Sequence, residues 1–362
     1  MNYLCMMKTN IETTNISKHF FMDEPIGREK DKDSKKYKNK LTKYGFHSMN
    51  EIDISKKIKQ LPHYLNNYLV VEEYRSVNIN HLNNNQICDK INTAIGDRYL
   101  MLKYKNQKLS FFNDYLVQFT EPKLFIMNVV CSVSYISKGL VQLNKNGICF
   151  FDLSSQNIVF NLDIGEKPVI FNFKNSLQID KLDSTYIANV LTQITDYTYK
   201  PLEVHILFYL IKNDISFVSY SFIEEVCERF VSNLSVLSFF PEKIIAYKAL
   251  CVETLSKYIN VPKKEVIVDI LTHHDKWDTY SISVLYLHLF GTITDFFSLK
   301  QNFISQMKNV LYKNIHPEPS KRETICQFFE KYEELFNDQI DWSFVKKLPA
   351  INFNKLHEIM NK

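Results

Sequence analysis

Asp152 and Asn157 are the residues of this chain best placed to do chemistry. They are an acid and an amide five positions apart in Phe150-Phe151-Asp152-Leu153-Ser154-Ser155-Gln156-Asn157. A carboxylate on a loop can orient a hydroxyl and take its proton, while an amide oxygen can help hold a hard metal ion. A second amide, Asn172, ends an apolar run that begins at Pro168. Glu51, Glu203 and Asp275 are further acids, and Arg322 could neutralise one of them. Bland uses compete: Asp152 could cap the Ser154–Asn157 turn, and Glu51 could cap the helix starting near Ser48. His273-His274-Asp275 reads as structural, since adjacent histidines on one turn point apart. His205 reads as a helix-face residue and Trp277 as core. No H-E-x-x-H, G-x-S-x-G or P-loop string is present.

The elements that must position these groups follow from periodicity. Gly147–Phe151 reads as a strand entering the Asp152 loop. Ile158–Leu162 and Pro168–Phe173 form a hairpin around the polar turn Asp163–Lys167. Ser48 with Glu51 has capping-box spacing for a helix that Pro62 stops. Tyr68–Val71 and Tyr99–Tyr104 read as strands, with Asn78–Asn85 as a surface loop between them. Residues 121–144 carry apolar positions at helical spacing nearly all round, predicting a buried helix. Ser221 with Glu224, Pro241 and Pro262 each mark the start of a helix within 213–270. The charged run 28–43 has almost nothing to bury and reads as a solvated loop.

At 362 residues, 45% of them hydrophobic, the chain can bury a sizeable core. A net charge of +4 is too small to argue for a general nucleic-acid surface. Seven scattered cysteines without a C-x-x-C pair read as reduced thiols in a cytosol-like compartment. No window suggests an apolar membrane span, so no membrane is expected.

Several strings, in order, resemble protein kinases. Asp152 and Asn157 match the catalytic-loop base and metal-binding amide, with Phe150 and Phe151 in place of His-Arg and Ser154 in place of Lys. Asn172-Phe173-Lys174 matches Asp-Phe-Gly, sharing Phe173. Tyr199-Lys200-Pro201-Leu202-Glu203 matches the segment ending in Ala-Pro-Glu, and Asn314 to Arg322 resembles the Asp-Pro-x-x-Arg stretch. Asp275-Lys276-Trp277 resembles Asp-x-Trp at the head of the central helix. The wording and the Asn/Lys-rich composition are similar to Ser/Thr kinase-like proteins of large DNA viruses.

The resemblance implies an α+β, bilobal kinase-like fold with a reduced N-lobe over 46–104 and a mainly α-helical C-lobe over 105–345. Residues 1–45 would be a divergent or flexible segment and 346–362 a tail. An all-α insertion at about 213–270 would add core or offer a docking surface. Glu51 would pair with a nucleotide-holding lysine, yet Lys36, Lys38 and Lys40 lie in polar sequence. No glycine-rich loop is present. Asn157 and Asn172 would hold Mg²⁺ beside ATP. Glu203 would pair with Arg322, and Asp275 would accept from the catalytic-loop backbone. Phe173 would stack with Phe150. Asn172 stands where the family has a charged Asp, and Ser154 where it has a charged Lys. With the glycines also missing, these changes point to a catalytically impaired pseudokinase, binding or scaffolding a protein in the cytoplasm, host cytoplasm or virion. The alternative is an active Ser/Thr kinase using ATP, Mg²⁺ and a lysine from 30–43. Without the Arg, no activation through Thr185, Thr192, Thr195 or Thr198 is expected.

Overall fold

The structure, a computed structural model, describes residues 36–77, 98–194, 196–213, 215–339 and 342–346. The expectations for residues 1–35, 347–362 and Asn78–Asn85, and for Thr195, lie outside these. The chain is a mixed α/β protein with its strands in the first half.

Although the charged run reads as a loop, residues 37–43 of it form β1 (Tyr37–Lys43). The reason is a partner distant in sequence. β4 (Tyr99–Lys105) pairs antiparallel with β1, from Tyr37 opposite Lys105 to Lys43 opposite Tyr99, and supplies the buried side chains that β1 lacks. β3 (Val71–Val77) flanks β4 on the other side, giving the order β1-β4-β3. The boundary expected at residue 45 therefore cuts through a sheet. α1 (Phe46–Ile58) starts two residues before Ser48, whose hydroxyl instead accepts from Gly45 N at 3.0 Å.

A second sheet has the order β2-β8-β7-β5. It consists of β2 (Tyr68–Leu69), β5 (Leu109–Phe111), β7 (Ile158–Asn161) and β8 (Lys167–Phe171). β7 and β8 are the expected hairpin, and β2 lies parallel to β8. Ile52 of α1, Leu102 and Tyr104 of β4, and Val159, Val169 and Phe171 of the hairpin share one buried cluster. That cluster clamps α1 and β4 against the hairpin carrying Asn157 and Asn172. β6 (Ile148–Cys149) pairs with β9 (Leu177–Gln178), closing the Asp152 loop from both ends.

α2 (Phe112–Leu116) leads into α3 (Pro122–Lys145), the expected buried helix. Contrary to the sequence reading, α3 is long and apolar enough to cross a membrane, but 72% of its most apolar window is buried inside the protein. α4 (Ser184–Leu191) and α5 (Leu202–Lys212) follow. Then come α6 (Tyr220–Asn233), α7 (Ile244–Ser256) and α8 (Lys263–Leu271). α6 is capped by Ser219, two residues before the expected Ser221, through a hydrogen bond from Phe222 N. The inner faces of α6 and α7 bury Val226, Cys227, Phe230, Tyr247 and Cys251 in the main core. α9 (Trp277–Phe297) is buried along almost its whole length, with α10 (Phe303–Asn314) and α11 (Ile325–Asp338) against it. Cys131 is disulfide-bonded, which corrects the reading of every cysteine as a reduced thiol. Cys149, Cys227, Cys251 and Cys326 are free.

Candidate active site

Glu51 lies in the middle of α1, buried to 2% exposure, so it is not a helix-start cap. Its two oxygens are used separately: Lys40 Nζ lies 3.2 Å from Oε2, and Tyr104 Oη donates to Oε1 at 2.7 Å. A lysine of the polar run thus does reach Glu51, carried there by β1. Burial pulls the Lys40 amine below its ordinary value; Glu51 opposes this fall and the nearby charge of Lys174 adds to it.

The Asp152 loop is positioned by Asp278, not by Asp275. Asp278 Oδ2 accepts from Phe150 N at 2.9 Å and its Oδ1 from Phe151 N at 2.8 Å. Asp275 sits one turn earlier, half-exposed, 3.4 Å from Lys276. The sequence match puts an acid near the helix start, but helical geometry aims the first-turn Asp278 inward. Phe151 adopts the left-handed region at φ 64°, which turns Asp152 out of the strand direction. Phe150 meets Phe173 edge-on with ring centroids 5.3 Å apart, and Phe173 meets Tyr68 at 6.1 Å.

Four donor contacts from three other side chains converge on Asp152. Lys200 Nζ is 2.9 Å from Oδ1, and Asn175 Nδ2 is 2.9 Å from Oδ2. Asn157 Nδ2 donates to the Asp152 carbonyl at 2.7 Å and to Oδ2 at 3.3 Å. Lys200 also donates to Phe151 O and is itself buried. Burial pushes Asp152 upward, but Lys200 and then Asn175 outweigh it and hold the carboxyl below the usual carboxylate range. Neither Lys200 nor Asn175 is marked by the sequence. The lysine hides where the matched string carries Ala, and its reach becomes visible only in three dimensions.

A carboxylate only accepts, so the hydrogen bond to Asp152 fixes the orientation of Asn157. Asn157 Oδ1 then accepts from Asn172 Nδ2 at 2.8 Å, leaving Asn172 Oδ1 buried without a partner. Asn172 stands at φ 65°, a left-handed position that asparagine tolerates, and a 3-10 turn over Phe173–Asn175 follows. These residues and Lys174, Asp196, Gln156, Gln193 and Tyr199 line a cavity of about 170 Å³. Lys174 is half-buried there and makes no ion pair or side-chain hydrogen bond with any described residue.

This donor set does not fit Mg²⁺. That ion takes near-octahedral oxygen ligands, usually including one or two carboxylates. Here Asn157 Oδ1 is taken by Asn172, the Asp152 charge is matched by Lys200, and the one further acid of the lining, Asp196, is exposed and accompanied by Lys174. Among the described residues no group of three or more His, Cys, Asp or Glu could hold a metal.

Away from the cavity, Arg322 Nη2 and Glu203 Oε1 form a buried ion pair, and Trp277 Nε1 donates to the same oxygen at 3.0 Å. The Arg322 guanidinium lies 5.5 Å over the Tyr280 ring. His205, on the same helix as Glu203, is buried beside Tyr197 O, and burial lowers it to about 4, so it is neutral near pH 7.

No family model matches the chain, and no curated protein is found similar to it. Among solved structures, the twitchin kinase region from C. elegans matches with a TM-score of 0.43 and 12% sequence identity. That match covers 90% of this chain and 45% of that one, so this chain spans under half the length of that structure.

Proposed function

We propose that the chain is a protein kinase-like domain that does not carry out metal-assisted phosphoryl transfer and works as a binding or scaffold module for a protein partner. The observation that carries this reading is the state of Asp152. A catalytic base must accept the proton of an incoming hydroxyl. The Asp152 carboxylate already accepts from Lys200, Asn175 and Asn157, and its lowered pKa makes it a weaker base. The kinase-like part of the reading is supported by the Glu203–Arg322 pair that the resemblance implies and by Lys40, a lysine the sequence did not single out, at Glu51. Asn172 and Lys174 replace an acid and a glycine where charge must be neutralised. At ~4 Å and an effective dielectric near 20, one unit charge is worth about 4 kcal/mol against another. Exposed Phe217, Tyr220, Ile245 and Val268, in or beside α6 to α8, offer apolar surface to a partner.

A second reading, an active divergent Ser/Thr kinase, is favoured by the Lys40–Glu51 pair, which an inactive domain has no chemical need to keep. Incubating the full chain and its Asp152→Asn variant with γ-labelled ATP and Mg²⁺ or Mn²⁺, with and without added protein acceptors, separates them. Background label in both is expected. Label that depends on Asp152 would overturn the first reading.

A further inference from the structure

Three lysines crowd the region between α1 and the Asp152 loop, and two have carboxylate partners. Lys40 is paired with Glu51, and Lys200 with Asp152. Lys174 has none among the described residues, although it is half-buried and lines the cavity. It is not a loose side chain on a mobile loop. Asn50 Nδ2 of α1 binds the Lys174 carbonyl at 3.1 Å and the Ser176 carbonyl at 2.8 Å, fixing the backbone on both sides. Its charge acts on both Lys40 and Asp152. Asp196 also lines the cavity, but it is exposed and forms no ion pair with Lys174; a half-buried ammonium without an ion pair carries a desolvation cost that an anion bound to it recovers.

We propose that this cavity binds a phosphate oxyanion without a divalent ion, with the Lys174 ammonium as its direct contact. The phosphate belongs either to a nucleotide or to a free polyphosphate, and the chemistry of recognition is the same. Lys174 supplies the positive charge that a metal would otherwise bring, and Asn172 Oδ1, an acceptor without a donor, takes a hydrogen bond from a water or ligand hydroxyl beside the phosphate. The inference rests on the reading of this cavity as one that excludes Mg²⁺, but its test does not use phosphoryl transfer.

Isothermal titration of the full chain with ATP, tripolyphosphate or adenosine, each in EDTA and again in excess Mg²⁺, provides the test, together with the Lys174→Gln variant. ATP binding in EDTA is expected, with affinity unchanged or weaker in Mg²⁺. Lys174→Gln is expected to lose about tenfold or more in affinity while keeping the thermal midpoint of the free protein. Comparable binding of tripolyphosphate identifies a polyphosphate site, and preference for ATP identifies a nucleotide site. Either supports the proposal. Absence of binding by both phosphates in EDTA, adenosine binding as tightly as ATP, or a Lys174→Gln variant that binds like wild type overturns it. Asp152-dependent label transfer would remove the proposed function while leaving these titrations interpretable.

Discussion

Two regions of this molecule hold a buried carboxylate against a cation from distant sequence, and they differ in how far each is closed off. Around Trp277, Glu203 meets Arg322 one-to-one, with the indole N–H as an added neutral donor. Around Asp152, Lys200 already balances the acid, and Lys174 and Asp196 line the same cavity. The first arrangement is balanced in charge and sealed in the core, although Glu203 Oε2 and Arg322 Nε and Nη1 lie buried without a hydrogen-bond partner. The second is open: Asp152 and Asp196 line its cavity with Lys174 and Lys200, and Lys174 forms no ion pair with any described residue.

Breaking the closed pair should have the largest effect. Glu203→Ala or Arg322→Ala leaves an uncompensated buried charge and is expected to cost about 3–5 kcal/mol in urea unfolding. A loss under about 1 kcal/mol in both variants would mean that the pair is not structural. His205, on the same framework helix, gives a pH signature. Its folded-state value near 4 lies below the ordinary value near 6.5, so its contribution is complete above pH 6.5 and is lost as pH falls towards 4. That loss approaches about 3 kcal/mol, and His205→Gln should flatten the stability curve across that window. An unchanged curve would show that His205 is not held neutral.

In the cleft, Lys200→Met strands Asp152 without its counter-ion. Because Asp152 remains 19% exposed, the expected loss is smaller, about 2–3 kcal/mol, and adding Asp152→Asn should recover part of it. The lowered Asp152 carboxyl contributes stability above the ordinary carboxylate range, and that contribution should disappear as pH falls through its folded value. Lys174→Gln should change the stability of the free chain least, raising it by no more than about 0.5 kcal/mol, since it removes a half-buried charge that has no described partner to lose. A large loss there would reveal a structural role and blur the contrast between the two regions.

What could be read in the sequence depended on how local each signal is. Glu203, Arg322, Asp152 and Asn157 lie in short strings whose order carries meaning, and the α3 and β7–β8 periodicities are contained in single windows. β1 was hidden because a polar strand is stabilised by β4, roughly 60 residues away, rather than by its own pattern. Lys40 was hidden with it, so Glu51 had two open readings that the sheet resolves. Asp275 and Asp278 differ by one turn, and only the start of α9 at Trp277 decides which faces the loop. Lys200 and Asn175 could not be found by motif, because their roles arise where the matched pattern expects other residues.

On the proposed reading, the Lys174 ammonium takes the place of a divalent ion in this cleft. The most direct measurement of that exchange is the ratio of ATP affinities with and without Mg²⁺, taken on wild type and on an Asn172→Asp/Lys174→Gly variant. A wild-type ratio at or below one is expected, with a variant whose binding becomes Mg²⁺-promoted. A wild-type chain whose ATP binding already requires Mg²⁺ would contradict it.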